Sequence, residues 1–433
     1  KTGHHLMYPQ GTTLVYSNFT PRSNKYAPKG CEEVVSFGQQ MVMKQIHTMF
    51  EKEFFSKNKN AVCNEIKKEY TDYLGADYDV SHIEALHDLG YLPIKVKALP
   101  ENTKSEFYWL TNFLETLISN LLWKPMTSAS IAHQYKKNLL KWAMKTDEKN
   151  AGFVEFQGHD FSMRGMDSLD ATISSGLGHA TSFLGSDSLP VIDGATEHSV
   201  MCAGSKEGEL ETFRYLMKQF PTGILSIVSD TWDLWKVVTS ILPELKEEIL
   251  AREGKIVIRP DSGDPVEILC GHDRMSNEDF ENADEPNRYF FECKGVIELL
   301  WDIFGGTINE QGYKVLNPAI GAIYGDSITI DRAEEICKRL EAKGFASTNI
   351  VLGIGSFTYQ YNTRDTFGFA MKATYVEING EGEDICKDPI TDDGTKKSAK
   401  GLLCVGNDLD KGYFLQDQVN WEGESEGCLE TIY

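Results

Sequence analysis

The run Lys255-Ile-Val-Ile-Arg259, followed at once by Pro260-Asp-Ser-Gly-Asp264, decides the fold. Its first half is short, apolar and β-branched and lacks polar/apolar alternation, the pattern of a strand buried on both faces of a parallel sheet. Its second half is a polar turn. The same two-part construction recurs in Ile224-Leu-Ser-Ile-Val-Ser-Asp230, Ile320-Gly-Ala-Ile-Tyr-Gly-Asp326 and Asn349-Ile-Val-Leu-Gly353-Ile-Gly-Ser356. Helical stretches lie between some of these strands. Trp232 to Ala251 follows the first in chain order. Asp331 to Gly344 follows the third, with Glu334 above Lys338 and Glu335 above Arg339 at i,i+4 and Gly344 placed to end it.

Each of these strands ends on Asp, Arg or Gly. In α/β barrels and open α/β sheets, ligands sit at the carboxyl ends of parallel strands, where loops converge on one point. One Asp after a strand is ordinarily a helix cap. Four such ends in series argue for a shared polar pocket.

Outward from this core the texture changes. Residues 33–145 carry helical patterns: Val34 to Phe55, a Lys/Glu-rich piece around Glu65–Tyr73, and an apolar region Phe107–Trp142 expected to be broken at Pro125. These read as scaffold. From about Lys372 to Tyr433 the chain is β-like and rich in Gly and Asp. Its basic run Lys396-Lys397-Ser-Ala-Lys400 is either a solvated loop or, if the fold returns it to the pocket, a phosphate contact. The expected division is 1–150, 151–368 and 369–433.

The 433 residues carry a net charge of −22, with 41% hydrophobic and 25% charged residues, ordinary globular usage. That charge disfavours a nucleic-acid partner, while a small anion feels the local pocket and not the total. Phe107 to Trp123 is interrupted by Asn112, Glu115 and Asn120, so no membrane span is expected. Nine scattered cysteines without a C-x-x-C pair suit reduced thiols in a cytoplasmic protein. The opening Lys1-Thr-Gly-His-His5 shows no signal-peptide pattern, and its abrupt entry into patterned sequence suggests residues upstream.

Several chemistries lack their motifs: G-x-x-x-x-G-K-[ST], H-E-x-x-H and paired cysteines are all absent from the sequence. Gly353-Ile-Gly355-Ser lacks the third glycine of a dinucleotide fingerprint, yet it still offers backbone N–H groups to a phosphate. The candidate site residues are Arg164, His198, Arg259 and Arg364 as cationic or protonatable groups, Asp187, Asp230, Asp261 and Asp326 as acids, and Phe161 as an aromatic surface. Arginines bind phosphate bidentately and stay charged, so several of them beside Asp-ended strands suit a phosphorylated ligand held with Mg²⁺. His198 is open between a helix-cap neighbour and a phosphate contact.

Gly158-His-Asp-Phe-Ser-Met-Arg-Gly165, Gly185-Ser-Asp187, Thr196-Glu-His-Ser199, Ile227-Val-Ser-Asp230, Ile258-Arg-Pro-Asp-Ser-Gly263, Tyr324-Gly-Asp326 and Thr363-Arg-Asp365 occur in the order found in the nicotinamide phosphoribosyltransferases, and Tyr8-Pro9 and Val15-Tyr-Ser17 resemble their opening segment. The chain thus resembles a type II phosphoribosyltransferase over nearly its whole length. That resemblance implies an irregular parallel α/β barrel, a mixed α/β domain formed by both chain ends, and a homodimer with the active site at the subunit interface. The implied reaction joins nicotinamide to 5-phosphoribosyl 1-diphosphate, with Mg²⁺ held mainly through the diphosphate and ATP as a coupled co-substrate that phosphorylates His198.

By the same resemblance Phe161 walls the pyridine slot and Asp187 accepts the carboxamide N–H. Arg164, His198 and Arg259 hold the diphosphate, with Asp261 near the ribose. Gly325, Asp326, Gly355 and Ser356 hold the nucleotide side, and Arg22, Arg364, Lys372 and Lys396 reach the 5′-phosphate, partly from the partner chain. The family's second stacking aromatic precedes the lysine matching Lys1. Near Pro100 and Ala195 the sequence is shorter than the family pattern, as if residues were omitted. Two other readings stay open: a phosphoribosyltransferase for nicotinate or another pyridine base, and a catalytically silent nucleotide-binding homologue.

Overall fold

A computed structural model describes residues 7–98, 108–186, 194–195, 197–272, 288–325, 327–391, 396–408 and 412–432. Asp187 and Asp326 fall outside these residues. The chain divides into two compact units, one made of residues 1–27, 34–126 and 363–433, the other of residues 28–33 and 127–362.

In the first unit the strand Thr12–Thr20 pairs antiparallel with Ala370–Ile378, joining the two ends of the chain in one small sheet. Ala370–Ile378 pairs in turn with Glu381–Asp384, and Leu402–Asp408 forms a separate antiparallel pair with Gly412–Val419. Helices Gln39–Phe50 and Lys59–Leu74 fall where the N-terminal patterning places them, although the first starts only after Gly38, whose φ of 95° ends the irregular segment before it. The expected break at Pro125 does not occur. Tyr108–Thr146 is one helix with Pro125 inside it. A proline removes one backbone hydrogen bond there, a cost spread over 39 residues of otherwise intact helix.

The second unit holds an all-parallel sheet of seven strands. In chain order they are β1 (Gly158–Asp160), β2 (Gly185–Ser186), β3 (Gly194–Ala195), β4 (Thr222–Val228), β5 (Glu253–Arg259), β6 (Ile320–Tyr324) and β7 (Ile350–Ile354). Their order across the sheet is β2-β1-β7-β6-β5-β4-β3. The sheet curls as an irregular half-barrel, the type II phosphoribosyltransferase architecture.

Register explains how the sequence builds both faces. Leu225 lies opposite Ile256, Ile227 opposite Ile258, Ile258 opposite Ala322, and Tyr324 opposite Leu352. All of these side chains are buried. They share one face by the two-residue period of a strand, and helices Leu242–Ala251, Val296–Phe304 and Ile330–Ala342 contribute buried Leu245, Ile249, Leu300, Ile336 and Leu340. Each fully buried Ile or Leu in this layer contributes about 1.5–3 kcal/mol. Val228, Val257, Arg259, Ile323, Gly353 and His159 occupy the other face, which ends at the carboxyl-terminal rim. All nine cysteines are free thiols. Among the described residues no helix is long and apolar enough to cross a membrane.

Candidate active site

The rim of the sheet gathers the loops that leave β4, β5, β6 and β7. The loop after β4 carries Asp230, and its carboxylate turns toward the neighbouring loop instead of capping a helix. Oδ2 accepts hydrogen bonds from the Asp261 N–H at 2.8 Å, the Ser262 N–H at 2.8 Å and the Ser262 hydroxyl at 2.5 Å. Oδ1 is buried with no partner among the described residues. Capping falls to other acids. Asp264 accepts from the N–H groups of Val266 and Glu267 at the start of Pro265–Cys270, and Asp233 does the same for Leu234–Lys236.

His198 is the first residue of the short helix His198–Ala203. Its Nδ1 lies 3.0 Å from the Thr231 hydroxyl, and its Nε2 lies 3.7 Å from Asp261 Oδ2. The ring is close to half exposed, at 45%, which leaves it open to a ligand as well as to Asp261. Arg259, the last residue of β5, is buried, and its guanidinium lies 3.8 Å from Glu197 Oε1. Burial keeps this charge out of bulk water, so an anion reaching it meets a weakly screened cation.

Two glycines open the centre. A Cβ on Gly325 would come within 3.0 Å of Asp261 Oδ1 and 3.5 Å of the Arg259 stem. One on Gly353 would lie 2.5 Å from the Tyr324 carbonyl and 2.8 Å from the Phe161 ring. Phe161 itself is tied to the end of β7, its N–H donating to the Ile354 carbonyl at 3.0 Å, and its ring lies 4.6 Å from that of His159. Arg164 sits in the turn Met163–Gly165, where a Cβ on Gly165 would lie 2.1 Å from Ser356 Oγ. Ser356 opens the helix Ser356–Gln360 immediately after Gly355.

The second unit therefore brings together Phe161, Arg164, His198, Asp230, Arg259, Asp261, Gly325, Gly355 and Ser356 at one rim. The remaining cations lie in the first unit. Arg22 donates through Nε to the Gly368 carbonyl at 3.2 Å, and Arg364 pairs with Asp365 at 2.8 Å. Lys372 sits among Arg22, Lys387 and Arg364, with Glu115 as the opposing charge. Burial, reinforced by these cations, lowers its pKa below the ordinary lysine value. Lys396 occupies an exposed position in the same unit.

Sequence reasoning missed Thr231, Ser262, Glu197 and Lys387. The first three flank residues that were picked, and only the fold reveals that Thr231 meets His198, Ser262 meets Asp230 and Glu197 meets Arg259. Lys387 stands alone in sequence, so a search for basic runs passes over it.

The donor set suits a hard cation. Among the described residues no group of three or more metal-binding side chains assembles, so the protein alone builds no closed cage. The buried Asp230 Oδ1, without a partner among the described residues, is the carboxylate oxygen that a hard cation such as Mg²⁺ would find at this rim.

The description of the nicotinate phosphoribosyltransferase (NAPRTase) family matches residues 156–420. A protein from Acinetobacter baylyi named nicotinamide phosphoribosyltransferase is 47% identical over 475 aligned positions, covering 100% of this chain and 92% of the relative. That alignment is longer than the chain, so the relative carries residues with no counterpart here. A protein of the same name from Mycoplasma pneumoniae is 35% identical, with 93% of each chain covered. Another from Xanthomonas campestris is 29% identical over 100% of this chain and 92% of its own length. With its rim chemistry, its parallel half-barrel and these matches in agreement, the chain belongs to the nicotinate phosphoribosyltransferase family.

Proposed function

We propose that the protein transfers the phosphoribosyl group of 5-phosphoribosyl 1-diphosphate to nicotinamide, giving nicotinamide mononucleotide and diphosphate. The observation that carries this reading is the rim cluster of His198, Asp230, Arg259 and Asp261, in a chain 47% identical over its full length to a protein named for that reaction. The pyridine nitrogen attacks C1′ with its own lone pair. The C1′–O bond breaks, and its electrons leave on diphosphate. No proton has to be removed from the nucleophile, so positioning supplies much of the rate.

The residues divide this work. Phe161 provides a flat face against the pyridine ring, and Asp187 accepts from the carboxamide N–H. Arg164, Arg259 and His198 hold the departing diphosphate, where negative charge develops. Asp261 lies beside Gly325, where a ribose approaches without meeting a Cβ, and its carboxylate favours the positive character that grows at C1′. Gly325, Asp326, Gly355 and Ser356 take the nucleotide side. Arg22, Arg364, Lys372, Lys396 and, by its place beside Lys372, Lys387 serve the 5′-phosphate. Mg²⁺, when bound, neutralises diphosphate charge.

ATP acts as a coupled co-substrate through phosphorylation of His198, which places a new negative charge beside the diphosphate site. The enzyme works as a cytoplasmic homodimer whose active site lies at the subunit interface. Base choice rests on Asp187: its carboxylate accepts from an amide NH₂ and repels the carboxylate of nicotinate.

The test is an assay of purified protein with phosphoribosyl diphosphate, Mg²⁺ and either nicotinamide or nicotinate, with and without ATP, scored for mononucleotide. Product from nicotinamide in preference to nicotinate is expected. Preference for nicotinate would move the protein to the other base specificity. No product from either base would refute phosphoribosyl transfer to pyridines.

A further inference from the structure

Behind the base wall lies a buried pair of polar side chains that the reaction does not use. His179, in the helix Leu169–Ala180, and Tyr359, in the helix Ser356–Gln360, are both completely buried. His179 Nδ1 lies 2.7 Å from the Tyr359 hydroxyl, and Nε2 lies 3.0 Å from the Gly185 carbonyl. A carbonyl only accepts, so Nε2 carries the hydrogen. Burial lowers the His179 pKa and keeps the ring neutral, which leaves Nδ1 bare to accept from the Tyr359 O–H. The chain of donors has one direction: Tyr359 to His179 to Gly185.

We propose that the His179–Tyr359 hydrogen bond is a positioning couple for the transfer reaction, fixing the aromatic wall of the base slot relative to the helix that carries Ser356. This rests on the functional reading given above. At one end, the bonded Gly185 lies against His159 with no room for a side chain: a Cβ there would come within 2.6 Å of His159 Nδ1, and the His159 ring lies 4.6 Å from that of Phe161 at a tilt of 33°. At the other end, Ser356 abuts the Arg164-Gly165 turn. The couple thus joins β2, and through it the base wall, to the phosphate-side helix.

A Phe and a Leu would fill the same space without desolvating an imidazole and a hydroxyl. Burying these groups is offset only in the one geometry that satisfies both. The other titratable groups acting on the His179 ring are Asp160, which favours its charged form, and His159, which opposes it, both on β1.

Tyr359→Phe deletes one oxygen and leaves Nδ1 without its donor. The expected result is a KM for nicotinamide raised about 5- to 20-fold, the scale of an unsatisfied buried polar group, with kcat within about threefold of wild type. His179→Gln keeps a donor for the Gly185 carbonyl and provides the decisive variant if Tyr359→Phe fails to fold.

In wild type, protonation of His179 requires acidification beyond the ordinary histidine range, because burial lowers its pKa; it turns Nδ1 into a donor facing Tyr359 and raises the KM for nicotinamide, a limb that His179→Gln lacks. Unchanged KM values in both variants, or a lowered Tm with KM and pH profile intact, would reduce the couple to core packing and overturn the proposal. A wild-type protein that forms no mononucleotide would instead defeat the functional reading, and this proposal with it.

Discussion

Asp230 and Ser262, on the loops after adjacent strands β4 and β5, meet through one carboxylate oxygen that accepts both the Ser262 N–H and its hydroxyl. The same oxygen takes the Asp261 N–H, so one acid sets the path of the loop that carries Asp261 past His198. Asp230 thereby holds the loop through one oxygen, while its other oxygen is buried without a partner among the described residues.

Replacing Asp230 with Ala strands three donors. We expect a stability loss of about 1–3 kcal/mol in urea unfolding. Displacement of Asp261 should lower kcat/KM by about 10²-fold, the cost of an ångström-scale misplacement. Asp230→Asn, which keeps an acceptor oxygen, should fall between the two. Wild-type kinetics in Asp230→Ala would remove Asp261 from the site.

Gly353→Ala places a methyl group against the Tyr324 carbonyl and the Phe161 ring, and the carbonyl belongs to a paired strand that yields little. Overpacking of this kind costs about 1–3 kcal/mol. The displaced ring should raise the KM for the pyridine base more than the KM for phosphoribosyl diphosphate. Equal changes in both would argue against Phe161 as the base wall.

His198→Ala separates ATP coupling from transfer. Stimulation of mononucleotide formation by ATP should vanish, while turnover without ATP persists within about tenfold, the scale of one lost hydrogen bond to the diphosphate. Residual stimulation in the variant would place the phosphorylated group elsewhere.

Lys372 gives a pH signature. Only its charged form attracts phosphate, and burial among Arg22, Lys387 and Arg364 makes it lose its proton at lower pH than an ordinary lysine. Affinity for phosphoribosyl diphosphate should therefore decline as pH rises, starting below the usual lysine range. Lys372→Arg, whose side chain stays charged, should flatten that decline in isothermal titration. A wild-type curve flat to the lysine range would exclude this role.

The long strands were legible and the short ones were not. β4, β5, β6 and β7 coincide with four β-branched runs because burial on both faces writes itself into consecutive residues. β1, β2 and β3 are two or three residues each, made of Gly, His, Asp, Ser and Ala, and they exist only because neighbours pair with them. The Asp230 to Ser262 contact spans 32 positions and leaves no local trace. Pro125 misled for a complementary reason: proline predicts a break, but a helix of 39 residues tolerates one missing bond. The site was legible as residue types at strand ends. Which aspartate caps a helix and which faces His198 is a matter of geometry, as Asp264 and Asp261 demonstrate.

The pairing of Thr12–Thr20 with Ala370–Ile378 imposes an order on synthesis. A strand made near the start must wait for a partner made some 350 residues later, as Asn18 and its partner Lys372 illustrate, while every strand of the parallel half-barrel has already left the ribosome. The half-barrel should therefore acquire its structure first, with the small antiparallel sheet closing last, the slow step expected of so distant a contact. Until it closes, the backbone groups of Thr12–Thr20 are an open edge, the point at which a nascent chain is most exposed to pairing with the wrong strand.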